Sequence, residues 1–562
     1  MTKTFHSGFV VRVLAVVVGA AVGHVQGAER VWAVPTFHCV GLYWDAEEGT
    51  ADNTCQVRYR KSGSQDWKDA MSLWFDGREL SPVGRDGRGV DKAAKWEYGG
   101  QYRGSIVNLE PGTEYEIELS LEKTRQKQSL KVRTWSEDFP VARKVAVSDN
   151  DKTLVIEQGG TASGYVVYTH PEGQETAVID VKSEKEQCVE VRASFVIIRD
   201  LMLKGAGVHG IRIFDGCHDV VIEGCDISGW GRIAEDGWGK DYDSAVYSRA
   251  RDLTRVIVQR NRIHHPRSNS NNWKQARPAP GKREPTHPEG PQTVCLWDSE
   301  GNHVIRYNTI FSDEDHQYND VFGAGSNFSV RGFPNRDSDI YSNRLSHCWD
   351  DTIESEGANC NVRIWGNYSS DCYVAIATAG TSVGPLYVWR NIGGAMRVAP
   401  GQWGGGFLKT SDIMGGGRIF VFHNTILQPL EKGKDGTVNT GARTGLGWGG
   451  PMVNVTSRNN ILNVTQRSFQ SRNDDPLADY DYDLYRGPLP SERHEKHGIA
   501  GAPIYAAGQP HALAENSPGH DAGVRIHDFN DDFRDAAPDM GAEELGTKPL
   551  EFGVDAYRST SR

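Results

Sequence analysis

The sequence predicts an all-β chain in which an antiparallel sandwich precedes a parallel β-helical solenoid. Two observations carry this. Across residues 33 to 135, short alternating segments recur between turn signals, at 41–44, 55–60, 107–121 and 130–135. Farther along, strand-like segments end in Asn at Asn261, Asn308, Asn343, Asn367, Asn391, Asn424 and Asn460, with Asp200 and Cys225 in the same slot earlier. Their spacings of 25, 36, 47, 35, 24, 24, 33 and 36 residues suggest a unit of 24 with loops inserted on one side, as coils of three short strands would give. The repeating Asn is read as structural, its amide bonding backbone at one corner of the stack.

Composition agrees. In 562 residues there are 63 Gly, which suits turn-rich β structure, and 38% hydrophobic with 24% charged residues, which excludes a disordered chain and a multi-span membrane protein. A net charge of −12 argues against nucleic acid as a partner.

At the start, Lys3 and Arg12 precede the apolar run 13–22, and Gly27 and Ala28 follow. This is the layout of a signal peptide, so residues 1–28 are set aside and a secreted or periplasmic monomer without a membrane span is expected. The sandwich is assigned to 29–137, a linker to 138–152, the solenoid to 153–545 and a tail to 546–562. A hydrophobic cap, with a helix as one form it could take, is expected near 154–167, since solenoid ends need covering. The nine cysteines are scattered without metal-ligand spacing and read as buried small residues, with room for one or two disulfides.

Trp44, Tyr59, Trp67 and the corner Leu109-x-Pro111-Gly112-Thr113-x-Tyr115 resemble the fibronectin type III family, in which a Tyr hydroxyl ties down such a corner. That resemblance implies a spacer or docking platform. The Asn-marked repeats, with SPGHDAG and PDMGAEE near the end, resemble right-handed parallel β-helix (pectin-lyase-like) proteins, common among secreted polysaccharide-active enzymes. The fold implied is a fibronectin type III-like β-sandwich followed by a right-handed parallel β-helix; the chemistry must come from the site.

Alignment of coils on the Asn superposes Ile211, Val246, Val294, Phe322, Ile353 and Ile376 as inward residues. Strand alternation leaves an outward stripe of Arg212, Phe214, Tyr247, Arg249, Trp297, Gly323, Gly325, Glu354, Glu356, Ala377, Ala379 and Lys409. Aromatics would stack on sugar rings, Gly and Ala would leave room for a glycan, and the charged groups would act on it. Arg212, Tyr247, Arg249, Trp297, Glu356 and Lys409 are thus candidate substrate-binding residues. A second acidic column precedes these strands: Asp243, Asn319-Asp320 and Asp350-Asp351. His316 and His423 could assist, although lone histidines are more often structural.

The insertion 266–291 carries Arg267, Trp273, Lys274, Arg277, Lys282, Arg283 and His287, and reads as a basic lid pointing to an anionic polysaccharide. Asp479, Asp481 and Asp483 do not make a calcium loop, because Leu484 stands where Gly is needed.

The leading expectation is a polysaccharide-degrading glycoside hydrolase needing no cofactor, with Asp320, Asp350, Asp351 and Glu354 as acid, base and positioning groups. The paired aspartates resemble polygalacturonase-type hydrolases, but the Gly-His-Gly and Arg-Ile-Lys elements of that family are missing. The alternative is a polysaccharide lyase with Lys409 or Arg249 as base and Ca²⁺ on Glu354 and Glu356. A glycan-binding surface protein without catalysis is the third reading.

Overall fold

The computed structural model describes residues 30–79, 96–278, 285–327, 329–378, 380–398, 404–410, 416–427, 431–432, 438–439, 443–450, 452–470 and 474–558. The expected signal peptide and Ala379 lie outside them. Every regular element among the described residues is a strand.

Seven antiparallel strands form the N-terminal unit. Arg30–Pro35, Val40–Asp45 and Gln101–Ile106 make one layer, and Cys55–Lys61, Glu114–Leu121 and Lys127–Arg133 the other; Lys68–Asp76 pairs into both. Alternation in Glu114–Leu121 sends Tyr115, Ile117, Leu119 and Leu121 inward to meet Trp44 and Tyr59. The Tyr115 hydroxyl accepts the Glu110 N–H at 2.9 Å, closing the expected corner.

From Val141 onward the chain winds into a parallel β-helix. One face is a twelve-stranded sheet from Val141–Ala146 to Asp479–Tyr480. A second runs from Ala177–Asp180 to Ile499–Ala500. The third begins with Leu154–Ile156, Gln187–Val191, His209–Ile213, Ser244–Ser248 and Gln292–Leu296. It continues through the ends of the long strands Arg344–Glu354 and Tyr368–Ala377 into Gly406–Lys409, Thr444–Trp448 and Arg467–Phe469. Two expectations are corrected here. The linker contributes a strand, since Val141–Ala146 pairs with Tyr165–Thr169, and the cap takes the form of sheet and not of helix, Leu154–Ile156 pairing with Gln187–Val191. All nine cysteines are buried free thiols, so no disulfide forms.

The recurring Asn residues form one continuous ladder. The Nδ2 and backbone N–H of Asn261 donate to Asn308 Oδ1 at 3.0 Å, and the same two donors pass from Asn308 to Asn343, to Asn367, to Asn391, to Asn424 and to Asn460. Each Nδ2 also reaches a strand carbonyl of an adjacent coil, as Asn367 does to Ile340 O at 2.9 Å. Asp483 ends the series, its Oδ1 accepting Asn460 N at 2.7 Å and Nδ2 at 2.8 Å. Every amide of the ladder is thereby satisfied.

The sandwich is fused to the twelve-stranded face. Tyr43 Oη donates to Asp337 at 2.8 Å, Arg103 donates to the carbonyls of Gly384 and Val383 at 2.9 and 3.0 Å, and Tyr387 Oη accepts Ser105 N–H. Asp528, from the C-terminal stretch, accepts Tyr59 Oη and Val107 N–H at 2.5 and 2.6 Å. The sandwich thus braces one face of the solenoid, and Arg249 on the third face stays exposed.

Candidate functional site

The site sits on the third face, in the register that the hydrophobic pattern implies. Ile211 pairs with Val246, Val246 with Val294, Val294 bridges Phe322, Phe322 bridges Ile353, and Ile353 pairs with Ile376. One residue along, Glu354 faces Ala377 and Ala377 faces Lys409. Ala377 is small, so the Lys409 side chain extends past it toward the carboxylates.

A bulge delivers two more. In the pairing of Arg344–Glu354 with Tyr368–Ala377, Cys348 meets Cys372 and Asp351 meets Val374, so one extra residue is accommodated between them. A regular strand would send Asp350 and Asp351 to opposite faces; the bulge lets both bury toward Lys409. Lys409 Nζ pairs closely with Asp351 Oδ2, and lies 3.7 Å from Asp350 Oδ1 and 3.9 Å from Glu356 Oε1. Asp320 is tied in from the preceding coil, its Oδ1 accepting Asp351 N–H at 3.0 Å and its Oδ2 accepting Gln292 Nε2 and Asn319 Nδ2. Asn327 Nδ2 donates to Glu354 Oε1 at 2.9 Å.

Five buried carboxyl groups therefore face two cations, Lys409 and His287. Ligand oxygens of Asp320, Asp350 and Asp351 lie within 4.8 Å of one another, and so do those of Asp351, Glu354 and Glu356. Both oxygens of Asp350, Asp351 Oδ1 and Glu356 Oε1 accept no hydrogen bond, and neither do Gln292 Oε1 and Asn319 Oδ1 beside Asp320. His287 Nε2 stands 2.9 Å from Asp350 Oδ2 as an ion pair without hydrogen-bond alignment. Buried acceptors without donors are costly, and an oxygen-only set of this density is what a hard divalent cation requires. The residues present fit such an ion.

The electrostatics follow from burial and crowding. Burial, reinforced by Asp350, raises Asp320 to about 6 and Asp351 well above the carboxylate range. Glu354 is raised by burial and by Asp320 and Glu356, and Glu356 reaches about 7 by burial although Lys409 opposes it. Burial also acts on Asp350, but Lys409 and His287 outweigh it and hold that carboxyl low. Burial would discharge Lys409 and His287; their acidic neighbours override it, keeping Lys409 protonated and pushing His287 up to about 10.

The basic insertion does reach the site, through His287 at the end of Pro285–His287, with Trp273 edge-on to its ring at 5.5 Å. Lys282 and Arg283 lie outside the described residues. Other expectations are redistributed. Asp243 leaves the acidic column, pairing with Arg232 at 2.6 Å. His316 Nδ1 bonds Pro266 O, and His423 is buried near the C-terminal stretch, so neither joins the site. Arg249 lies over Trp297 at 4.7 Å, Tyr247 stacks on His209, and Arg212 lies over Phe214 at 4.5 Å, all on coils before the acidic cluster. Gly323 and Gly325 make room for the protein itself instead of a glycan: a Cβ would stand 2.5 Å from Glu354 Oε2 at the first and 2.0 Å from the Trp297 ring at the second.

Sequence reasoning missed Gln292, Asn327 and Asp241 as members of the site, and named His287 only as part of the basic lid. Asp241 accepts Gly290 N–H at 2.9 Å and Asn319 Nδ2 at 3.3 Å, and burial raises it to about 7. The available signal was the position of His287 at the return of the longest insertion.

No family model matches this sequence, and no curated protein matches it. Among solved structures the chain is similar to the crystal structure of pectate lyase Pel9A, with a TM-score of 0.37 and 11% identity, over 72% of this chain and 86% of that one.

Proposed function

We propose that the protein is a polysaccharide lyase that cleaves a uronic-acid-containing glycan by metal-assisted β-elimination. The observation that carries this reading is the packing of five buried carboxyl groups, several with unpartnered oxygens, around the ammonium of Lys409. Asp320, Asp350, Asp351 and Glu354 would hold a divalent cation, with Glu356 beside them. When bound, that cation supplies positive charge that engages the substrate carboxylate, acidifies the neighbouring C5 proton and offsets the acids that hold Lys409 protonated.

Lys409 Nζ, once neutral, takes the C5 proton; the electron pair becomes the C4–C5 double bond as the C4–O4 bond breaks, and the leaving oxygen is protonated by solvent. Gln292, Asn319 and the Asp351 N–H orient Asp320, and Asn327 orients Glu354. His287 holds a proton at Nε2 toward Asp350 and brings the insertion over the site. The hydrolase reading keeps one supporting observation, the separated ionisation of Asp320, raised to about 6, and Asp350, held low. It leaves the remaining buried carboxylates and Lys409 without a task.

An exported enzyme suits a substrate too large to enter a cell, in keeping with the signal peptide read at 1–28. The fibronectin type III-like sandwich serves this reading as a brace. The test is incubation of the purified protein with polygalacturonate and other uronans, following unsaturated uronate absorbance and reducing ends together. Chromophore that disappears with chelator and returns with Ca²⁺ is expected. New reducing ends without chromophore would replace elimination by aspartate-driven hydrolysis.

A further inference from the structure

Up the same face from the acidic cluster lies a shelf of arginines held over aromatic rings. Arg192 and Arg212 cover Phe214 at 3.8 and 4.5 Å, and Arg249 covers Trp297 at 4.7 Å. Between them opens a depression of about 390 Å³ whose lining includes Arg212, Phe214, Arg249 and Arg251, with Asp215 and Asp298 as its acids. Arg192 is paired with Glu190. Arg212, Arg249 and Arg251 make no ion pair among the described residues, in a chain where acids outnumber Lys and Arg by 74 to 62.

The shelf is continuous with the site. Arg212 pairs with Tyr247 and Tyr247 with Cys295, and the bridges of Val294 to Phe322 and Phe322 to Ile353 carry the column through Gly323 to Glu354. Arg212 is thus four coils from Glu354, roughly 19 Å at a strand spacing of ~4.8 Å. Trp297, under Arg249, donates its indole N–H to Ser326 at 2.9 Å, on the loop that also presents Asn327 to Glu354. A guanidinium stacked on a ring keeps its N–H edge free for bidentate contact with a carboxylate or sulfate.

We infer that this shelf is a distal subsite that takes an anionic sugar unit of a glycan chain lying along the solenoid axis, several units from the bond that is cut. The inference rests on the elimination reading for the position of that bond.

Affinity electrophoresis of the whole protein, in chelator, tests it with gels containing polygalacturonate, dextran sulfate or neutral dextran. Retardation by polygalacturonate is expected, with at least a tenfold loss of apparent affinity in the Arg212→Gln/Arg249→Gln variant at unchanged melting temperature. Arg251→Gln alone, at an exposed position, gives a second reading in the same direction. Retardation by dextran sulfate that is lost with the same arginines would support a subsite reading charge on either group. Unchanged affinity in the variants, or equal retardation by dextran, would overturn the subsite. Binding is read without turnover, so a protein that binds this way yet yields no unsaturated product overturns the elimination reading and leaves the shelf standing.

Discussion

Lys409 stands in one column with Glu354, two coils apart, with only the methyl group of Ala377 between them. That spacing lets the ammonium reach Asp351, Asp350 and Glu356 at once. Lys409→Ala should abolish formation of unsaturated product, lowering kcat by about 10²-fold or more as loss of a general base does. Product analysis on the purified variant checks it; near-normal turnover would remove Lys409 from the chemistry. The same variant should melt lower without added cation, because it leaves buried acids without their partner.

The protein should gain thermal stability from Ca²⁺ as the logarithm of free ion over Kd, about 2.7 kcal/mol when free ion exceeds Kd a hundredfold. Asp350→Asn/Asp351→Asn should remove that gain while circular dichroism stays β-rich. A melting curve indifferent to Ca²⁺ and to chelator would count against the cation site.

Gly323→Ala offers a test that alters no charged group. Its Cβ would lie 2.5 Å from Glu354 Oε2 and 3.2 Å from Glu354 Cβ, so the carboxylate must move. Turnover and the Ca²⁺-dependent shift in melting temperature should both fall, with the fold retained.

The Asn ladder should be the costliest place to cut the solenoid. Asn367→Ala removes the acceptor of the Asn343 N–H and the donor to Ile340 O, leaving buried groups unmet, at about 3 kcal/mol or more. Chemical denaturation of this variant beside a surface Asn control would show whether the loss is specific to the ladder.

Acid should destabilise the protein through two buried neutral histidines. His423 Nε2 accepts from Asn459 and Asn530 while Nδ1 faces Gly541 O, and His303 Nδ1 accepts Val256 N–H; burial lowers both to about 3. In the unfolded chain both titrate near 6.5, so below that pH the unfolded state binds more protons. Their contribution is complete above pH ~6.5 and declines as pH falls toward about 3. His423→Gln should flatten part of this decline in a pH series of melting temperatures.

Much of the fold was legible in the sequence because two independent periodicities agreed. The Asn phase and strand alternation both place Ile211, Val246, Val294, Phe322, Ile353 and Ile376 inside, and they are inside. Asp320, Asp350, Asp351, Glu354, Glu356 and Lys409 were legible as candidates for the same reason. Their arrangement was not. Alternation cannot foresee a bulge, so it could not place Asp350 and Asp351 on one side. Nor could it fold a long insertion back to seat His287 at 2.9 Å from Asp350. Asp243 matched its neighbours in position, but Arg232, eleven residues earlier, claimed it. The glycines were read as empty space when they are the imprint of Trp297 and Glu354.

The amide ladder has a consequence for how such a chain can change. It holds the phase of every coil at one corner, so the length of what loops out elsewhere is free, as repeats from 24 to 47 residues attest. Loops should then be exchangeable between coils as cassettes, and new specificities reachable by grafting segments like the one bearing His287 onto an unchanged spindle.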